Sequence, residues 1–182
     1  MIKALLIIDM QKGSFTEETP RYDTGGVCDR INLIAESFRK SDFPVIHIQH
    51  DSSRFKRFIP GTEEWEIIDE IHVDQCDHNI QKTANDAFYH SELETLLLNH
   101  KVSEIYITGC ATDFCVESTI QSAIVKDLNI VVIQDGHTTA DRPHANAKTV
   151  IDQYNFVWSN MIPTKGSLKV LSTDQVLEAN AK

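Results

Sequence analysis

Three side chains of this sequence, a thiol, a carboxylate and an ammonium group, are of the types that together could break an amide bond. Cys115 lies in the segment "GCATDFCVEST" (109–119), which follows an apolar run and precedes a helical pattern. A thiolate there could attack a carbonyl carbon, with Asp9 carrying a proton from the thiol to a leaving amine. A nearby Lys82 would lower the pKa of the thiol. The three residue types therefore indicate nucleophilic catalysis if the fold brings them together.

The turn around Cys115 bears on the same question. Thr112 or Asp113 could serve as the N-cap of the following helix, which would place Cys115 in its first turn. Backbone N–H groups and the helix dipole there favour a thiolate, and the same amides could bind an oxyanion. The alternatives are structural: Cys115 could be a small buried apolar residue, Asp9 a turn cap and Lys82 a solvated lysine.

The elements that must position these side chains alternate between strands and helices along the chain. The run "ALLIID" (4–9) is typical of a strand buried on both faces, and apolar residues recur at helical spacing from Val27 to Phe38. This alternation predicts a single-domain α/β fold, doubly wound around a mostly parallel sheet of about six strands with helices on both faces, in a Rossmann-like three-layer arrangement. Predicted strands are 4–9, 44–49, 78–82, 104–109, 129–135 and 156–159, and predicted helices are 27–38, 93–97, 113–127 and 143–154.

Ligand sites in such folds lie outside the carboxyl ends of the strands. Asp9 ends the first predicted strand, and Lys82 ends the third. Gly109 ends the fourth predicted strand and leads to Cys115. The carboxylate, the ammonium and the thiol are therefore expected to meet at one edge of the sheet.

Composition limits the class of protein. The 182 residues are 41% hydrophobic and 24% charged, and the net charge is −10. These values are typical of one soluble domain over 1–182, and the negative charge disfavours nucleic acid or an anionic membrane as a partner. No apolar run is long enough to cross a bilayer or to form a signal-peptide core, so we expect a cytoplasmic protein. Its four cysteines are then expected to be reduced, and none forms a C-x-x-C pair.

Five segments of the chain occur in an order and at spacings that match one known family. They are "LLIIDMQ" (5–11), "PGTEEWEI" (60–67), "QKTANDAF" (81–88), "ITGCATDFCVEST" (107–119) and "VVIQDGHTTAD" (131–141). On these segments the chain resembles, across nearly its full length, the isochorismatase-like cysteine hydrolases, a family related to nicotinamidase and N-carbamoylsarcosine amidase. The resemblance implies a doubly wound parallel sheet and an Asp-Lys-Cys triad, which maps onto Asp9, Lys82 and Cys115.

Further expectations follow from the resemblance alone. It implies that the peptide bond between Cys110 and Ala111 is cis, and that the N–H groups of Ala111 and Cys115 form an oxyanion hole. It implies a small-molecule amide-type substrate and a covalent thioester on Cys115. It also implies a homodimer or higher homo-oligomer, in which a neighbouring subunit can supply pocket residues. No cofactor is expected.

Two departures from the family's patterns narrow the expected activity. Members that cleave isochorismate lack the nucleophilic cysteine, so the presence of Cys115 disfavours that reaction. Nicotinamidases hold a metal through a D-x-H segment and a further histidine, whereas the corresponding stretch here is "IQHDSSRFKRFIPGT" (48–62). We therefore expect no metal. His47 and His50 on a strand face opposite ways, which also argues against a shared ion.

The residues leave the substrate unidentified. Arg54, Lys56 and Arg57 could steer an acidic substrate, although a solvated loop is the simpler interpretation. Two other functions stay open: a catalytically silent family member that binds a ligand or a partner, and a thiol sensor. The candidates for a pocket wall are Phe15, Trp65, Phe88, Phe114 and His137. The alternative role is core packing for the four aromatic residues and a hydrogen-bonded position behind the site for the histidine.

Overall fold

A sheet of six strands, all parallel, forms the centre of the computed structural model, which describes residues 2–180. This confirms the predicted α/β class. Five α-helices accompany the strands in the described residues, and none of them is long and apolar enough to cross a bilayer. The strands are β1 (Ile2–Ile8), β2 (Val45–His50), β3 (His78–Lys82), β4 (Val102–Cys110), β5 (Asn129–Thr138) and β6 (Leu168–Leu171), and the helices are α1 (Thr24–Lys40), α2 (Leu93–Asn99), α3 (Glu117–Val125), α4 (Ala147–Ser159) and α5 (Thr173–Asn180).

The strand order in the sheet is β3-β2-β1-β4-β5-β6. The chain places β2 and β3 on one side of β1 and then β4, β5 and β6 on the other side, so the switch point lies between β1 and β4. Ligand sites in such sheets lie beside the switch point, at the carboxyl ends of the strands. The register pairs His50 of β2 with Lys82 of β3, and Gly109 of β4 with Ile8 of β1. Because Asp9 follows β1 directly, four neighbouring strand ends bring these polar groups to one edge of the sheet.

Two separate apolar clusters bury the two faces of the sheet. Ala4, Leu6 and Ile8 of β1 belong to the cluster that includes residues of α2, α3 and α4. Leu5 and Ile7 belong to the opposite cluster, with residues of α1 and α5. All five side chains are at most 1% exposed. Since burying a large aliphatic side chain stabilises a fold by about 1.5–3 kcal/mol, a strand covered on both faces is apolar at every position.

The structure corrects the prediction of a strand at 156–159. These residues form the last turn of α4, in which Val150, Ile151 and Trp158 are buried at helical spacing. The sixth strand is β6, which pairs with β5. A short apolar stretch that contains aromatic residues fits a strand and a helix end equally well, so periodicity could not separate the two.

The start of α4 also differs from the prediction. The helix begins at Ala147 rather than at Pro143. The Asn146 side chain caps it by accepting a hydrogen bond at 2.8 Å from the backbone N–H of Thr149. Because this cap satisfies one of the free amides of the first turn, it fixes the helix start more strongly than the proline does.

We predict that Gly109→Ala lowers the free energy of unfolding by more than about 2 kcal/mol, measured by urea denaturation. Gly109 has a φ of +115°, and an added Cβ atom would lie 2.1 Å from the carbonyl oxygen of Ile8. Gly25→Ala in α1 is the matched control, because nothing lies within 4 Å of the added atom. Its free energy of unfolding should change by less than about 1 kcal/mol. Equal stability of the two variants would contradict the close approach of β1 and β4.

Candidate active site

The three residues predicted from the strand ends meet at the carboxyl edge of the sheet. The Lys82 Nζ atom lies 2.8 Å from Asp9 Oδ2 and 3.3 Å from Cys115 Sγ. Lys82 is 1% exposed, and Asp9 is 5% exposed. Burial of such charges is costly unless they are paired. The structure therefore holds a buried carboxylate and a buried ammonium beside the half-buried thiol of Cys115.

The protein fills the hydrogen-bonding capacity of the Lys82 ammonium. Besides Asp9 and Cys115, it contacts the carbonyl oxygen of Ala84 at 2.9 Å and the Nδ1 atom of His50 at 3.0 Å. Burial by itself lowers the pKa of Lys82, but the Asp9 charge and the hydrogen bonds to Asp9 and Cys115 outweigh it, and the pKa is raised. Lys82 thus stays charged at neutral pH and supplies a fixed positive charge.

His50 belongs to the same cluster, although the sequence predicted no part in the site for it. Its Nδ1 atom accepts a hydrogen bond from Lys82, which assigns the ring proton to Nε2. Burial and the Lys82 charge lower the pKa of His50, so the ring is neutral at pH 7. The register of β2 against β3, which places His50 opposite Lys82, is the signal that identifies it. His47 lies elsewhere, with Nε2 at 2.9 Å from the Asp77 carboxylate.

The turn that carries Cys115 follows β4. The peptide bond between Cys110 and Ala111 is cis, and Thr112–Val116 forms a single π-helical turn ahead of α3. Ala111 and Cys115 both line the cavity described below. The role of their N–H groups as an oxyanion hole stays a prediction.

The predicted N-cap of this turn was wrong. Neither Thr112 nor Asp113 caps it through a side chain. Thr112 Oγ1 lies 2.8 Å from His137 Nδ1, and Asp113 accepts hydrogen bonds at 2.6 and 2.9 Å from the Arg142 guanidinium. A two-point pair with arginine is stronger than a neutral cap, and partners this distant in the sequence are not visible in a local pattern.

Burial and Asp9 oppose the predicted effect of Lys82 on the pKa of the Cys115 thiol. Burial raises the pKa of the Cys115 thiol well above its ordinary value, and the Asp9 carboxylate raises it further, against the opposing effect of Lys82. Cys115 is therefore a neutral thiol at pH 7. Asp9 Oδ1 is buried without a hydrogen-bond partner in residues 2–180, and a carboxylate oxygen of Asp9 lies within 4.8 Å of the sulfur. Asp9 is thus placed to accept the thiol proton during a reaction.

Asp9, His50 and Cys115 offer three ligand atoms within 4.8 Å of one another, a spacing that a metal ion could bridge. The ammonium of Lys82 argues against such an ion. It already contacts all three side chains, so a metal cation at the same point would meet a fixed positive charge. The donor set therefore fits the ammonium better than a metal.

A cavity of about 330 Å³ opens over Cys115 and Asp9, which is enough for a small molecule. Phe114, one of the predicted pocket residues, lines it. Phe58, which the sequence did not single out, lines it as well. Asn85 is also part of the wall, and its Oδ1 atom lies 3.7 Å from the Cys115 sulfur. The wall thus combines aromatic faces with polar groups near the thiol.

The other four predicted pocket residues are not among those that line this cavity. Phe88 is buried in the apolar cluster on the α3 side of the sheet. His137 is buried behind the Cys115 turn, and Phe15 lines a separate groove. The indole N–H of Trp65 is buried without a partner in the described residues. The sequence does not reveal whether an aromatic ring faces the core or a pocket, because both environments favour aromatic rings.

Known proteins that are similar to this chain share one domain type. The family described as "Isochorismatase domain" matches residues 3–160. A streptothricin hydrolase of Streptomyces noursei is 30% identical over 146 residues, which cover 79% of this chain and 57% of that protein. Ureidoacrylate amidohydrolase of Caulobacter vibrioides is 28% identical over 168 residues, which cover 72% of this chain and 75% of that protein.

The likeness extends to three dimensions. A crystal structure described as an isochorismatase family protein has a TM-score of 0.85 and 28% identity, covering 93% of this chain and 98% of the other. The match to the two streptothricin hydrolases spans only 52% and 57% of their length. This chain therefore corresponds to little more than half the length of those relatives.

We expect Asp9→Asn to lower the pKa of the Cys115 thiol. The substitution removes a negative charge that opposes the thiolate, while the positive charge of Lys82 remains. Alkylation of Cys115 by iodoacetamide at neutral pH should become several-fold faster, and the midpoint of its rate profile should move to lower pH. Mass spectrometry of the Cys115 peptide measures the rate.

Asp152→Asn is the matched control for this measurement. Asp152 is an exposed carboxylate on α4 that pairs with Lys148, so the charge change is the same but distant from the thiol. Its alkylation profile should equal that of the wild type. An unchanged or higher midpoint in Asp9→Asn would mean that Asp9 does not set the pKa of Cys115.

Proposed function

This chain belongs to the isochorismatase family, and we propose that it is a cysteine hydrolase that cleaves a C–N bond in a small amide-type substrate. The observation that carries the proposal is the buried contact of Lys82 with both Asp9 and Cys115 at a cavity wall. Burying these groups together is costly, and such clusters occur most often where chemistry needs them. The names of two relatives, a streptothricin hydrolase and a ureidoacrylate amidohydrolase, support hydrolysis as the reaction class.

In the proposed acylation, a substrate carbonyl carbon lies next to the Cys115 sulfur. Asp9 takes the thiol proton as the sulfur–carbon bond forms, and the carbonyl oxygen becomes an oxyanion. The N–H groups of Ala111 and Cys115 stabilise that oxyanion. Asp9 then gives the proton to the leaving nitrogen, the carbon–nitrogen bond breaks, and a thioester remains on Cys115.

Hydrolysis of the thioester uses one water molecule and the same carboxylate. Asp9 removes a proton from the water while the water oxygen attacks the thioester carbon. The tetrahedral species then breaks its carbon–sulfur bond, and the proton passes from Asp9 to the Cys115 sulfur. The product is a carboxylic or carbamic acid, and the protein recovers its thiol and its carboxylate.

Lys82 transfers no proton in this scheme. Its pKa is raised by Asp9 and by the Cys115 sulfur, so it keeps its charge while negative charge moves between these two groups. His50, at the end of β2, accepts a hydrogen bond from the Lys82 ammonium and thereby holds it in place. The fixed charge stabilises the negative charge that develops on the sulfur in each half of the reaction.

The proposal predicts that Cys115→Ala loses the hydrolysis of any small amide or ureide that the wild-type protein turns over. The panel holds nicotinamide, pyrazinamide, N-carbamoyl amino acids, ureidoacrylate, biuret and cyclic lactams, with release of ammonia or amine as the readout. We expect kcat/KM to fall by about 1,000-fold or more, because removing the nucleophile removes the covalent route.

Cys76→Ala is the matched control for the loss of a thiol. Cys76 is exposed and does not line the cavity, so this variant should keep the wild-type rate. Undiminished turnover by Cys115→Ala would exclude Cys115 as the nucleophile. If the wild type hydrolysed no compound of the panel, a ligand-binding role would replace the hydrolase.

A further inference from the structure

The cavity wall is rich in arginine. Arg21, Arg57 and Arg142 all line it, and Asp9 is the only carboxylate among the lining residues in the described part of the chain. Asp9 is already paired with Lys82. The chain as a whole carries a net charge of −10, so positive charge is concentrated where a ligand would enter. Such a wall attracts anions into a cavity of an otherwise acidic protein.

Two of the three arginines are neutralised by carboxylates of their own. Arg57 forms an ion pair with Glu64. Arg142 donates two hydrogen bonds to Asp113, from Nε at 2.6 Å and from a terminal nitrogen at 2.9 Å. These carboxylates offset the positive charges of the two guanidinium groups. They leave Arg57 and Arg142 as parts of the wall rather than as anion-binding groups.

Arg21 differs from both. No carboxylate within residues 2–180 lies within 4.0 Å of its guanidinium, so it forms no ion pair there. Its Nε atom donates a hydrogen bond at 2.7 Å to the carbonyl oxygen of Ser14, and its backbone pairs with Ala140. Arg21 is half-buried. The side chain is thus anchored through Nε, which leaves its terminal N–H groups to the cavity.

We propose that Arg21 binds the carboxylate of a substrate whose amide or ureide carbonyl is held at Cys115. This rests on the proposed hydrolase function and assigns its substrate class, a small amide or ureide that also bears a carboxylate. A planar guanidinium fork matches a carboxylate in two-point geometry. The groove on the other side of Arg21 is lined by Glu17, Glu63, Asp69 and Glu70. Its lysine, Lys12, is already paired with Glu66 and Asp69, so the groove repels anions and the carboxylate binds on the Cys115 side.

The test compares two alkylating reagents of nearly equal shape, anionic iodoacetate and neutral iodoacetamide. An anion-binding group near the thiol raises the rate of iodoacetate relative to that of iodoacetamide at Cys115. The thiol pKa does not affect this ratio, because both reagents react with the same thiolate at one pH. Exposed Cys76 supplies the reference ratio in the same sample. Peptide mass spectrometry measures both sites in wild type, Arg21→Gln, Arg21→Lys and Arg54→Gln. Arg54 is exposed and does not line the cavity, so it controls for the lost charge.

We expect Arg21→Gln to lower the iodoacetate-to-iodoacetamide ratio at Cys115 about tenfold, while the ratio at Cys76 stays constant. Arg54→Gln should leave both ratios unchanged, and Arg21→Lys should lower the Cys115 ratio less than Arg21→Gln does, because lysine keeps the charge but not the two-point geometry. An unchanged ratio in Arg21→Gln would overturn the proposal. Alkylation of the buried Cys28 and Cys110 in Arg21→Gln would show that its fold is disturbed. Arg21→Lys then decides the test: an iodoacetate-to-iodoacetamide ratio at its Cys115 as low as that at Cys76 would overturn the proposal. The readout needs no turnover, so a failed amidase assay is a separate result.

Discussion

The site depends on burial of the Lys82 ammonium. A buried charge destabilises a fold strongly unless it is paired and hydrogen-bonded. Lys82, 1% exposed, meets this requirement through Asp9, His50, Ala84 and Cys115. These partners come from the ends of three strands and from the turn ahead of α3, so pairing the charge fixes their relative positions. The contacts that make the buried ammonium tolerable are also the contacts that assemble the site.

The strand order then determines the chemistry. Lys82, His50 and Asp9 are distant in the sequence but end the neighbouring strands β3, β2 and β1, and Cys115 approaches Asp9 from the β4 side. Asp9 compensates the ammonium and at the same time raises the pKa of the thiol. The resting sulfur is therefore protonated, and attack requires Asp9 to remove the proton. One carboxylate between a fixed cation and a thiol can act first as base and then as acid.

Asp9, Lys82 and Cys115 could be predicted because a parallel sheet brings its strand ends to one edge, and that rule needs only the order of strands and helices. The pKa of the thiol could not, since burial and the distance to Asp9 decide it and neither follows from spacing. Trp158 was assigned to a strand because four residues are too few to show a helical period. The cavity wall was mostly missed, since Arg21 and the loops around it are held by single long-range hydrogen bonds rather than by a repeating pattern.

The central claim is that Cys115 becomes acylated during hydrolysis. The most direct measurement is mass spectrometry of the protein quenched in acid while it turns over a substrate from the amide panel. We predict that the Cys115 peptide carries an added mass equal to the acyl part of that substrate, and that this adduct disappears once the substrate is consumed. Continued turnover with an unmodified Cys115 peptide, under a quench in which a thioester survives, would contradict the covalent mechanism.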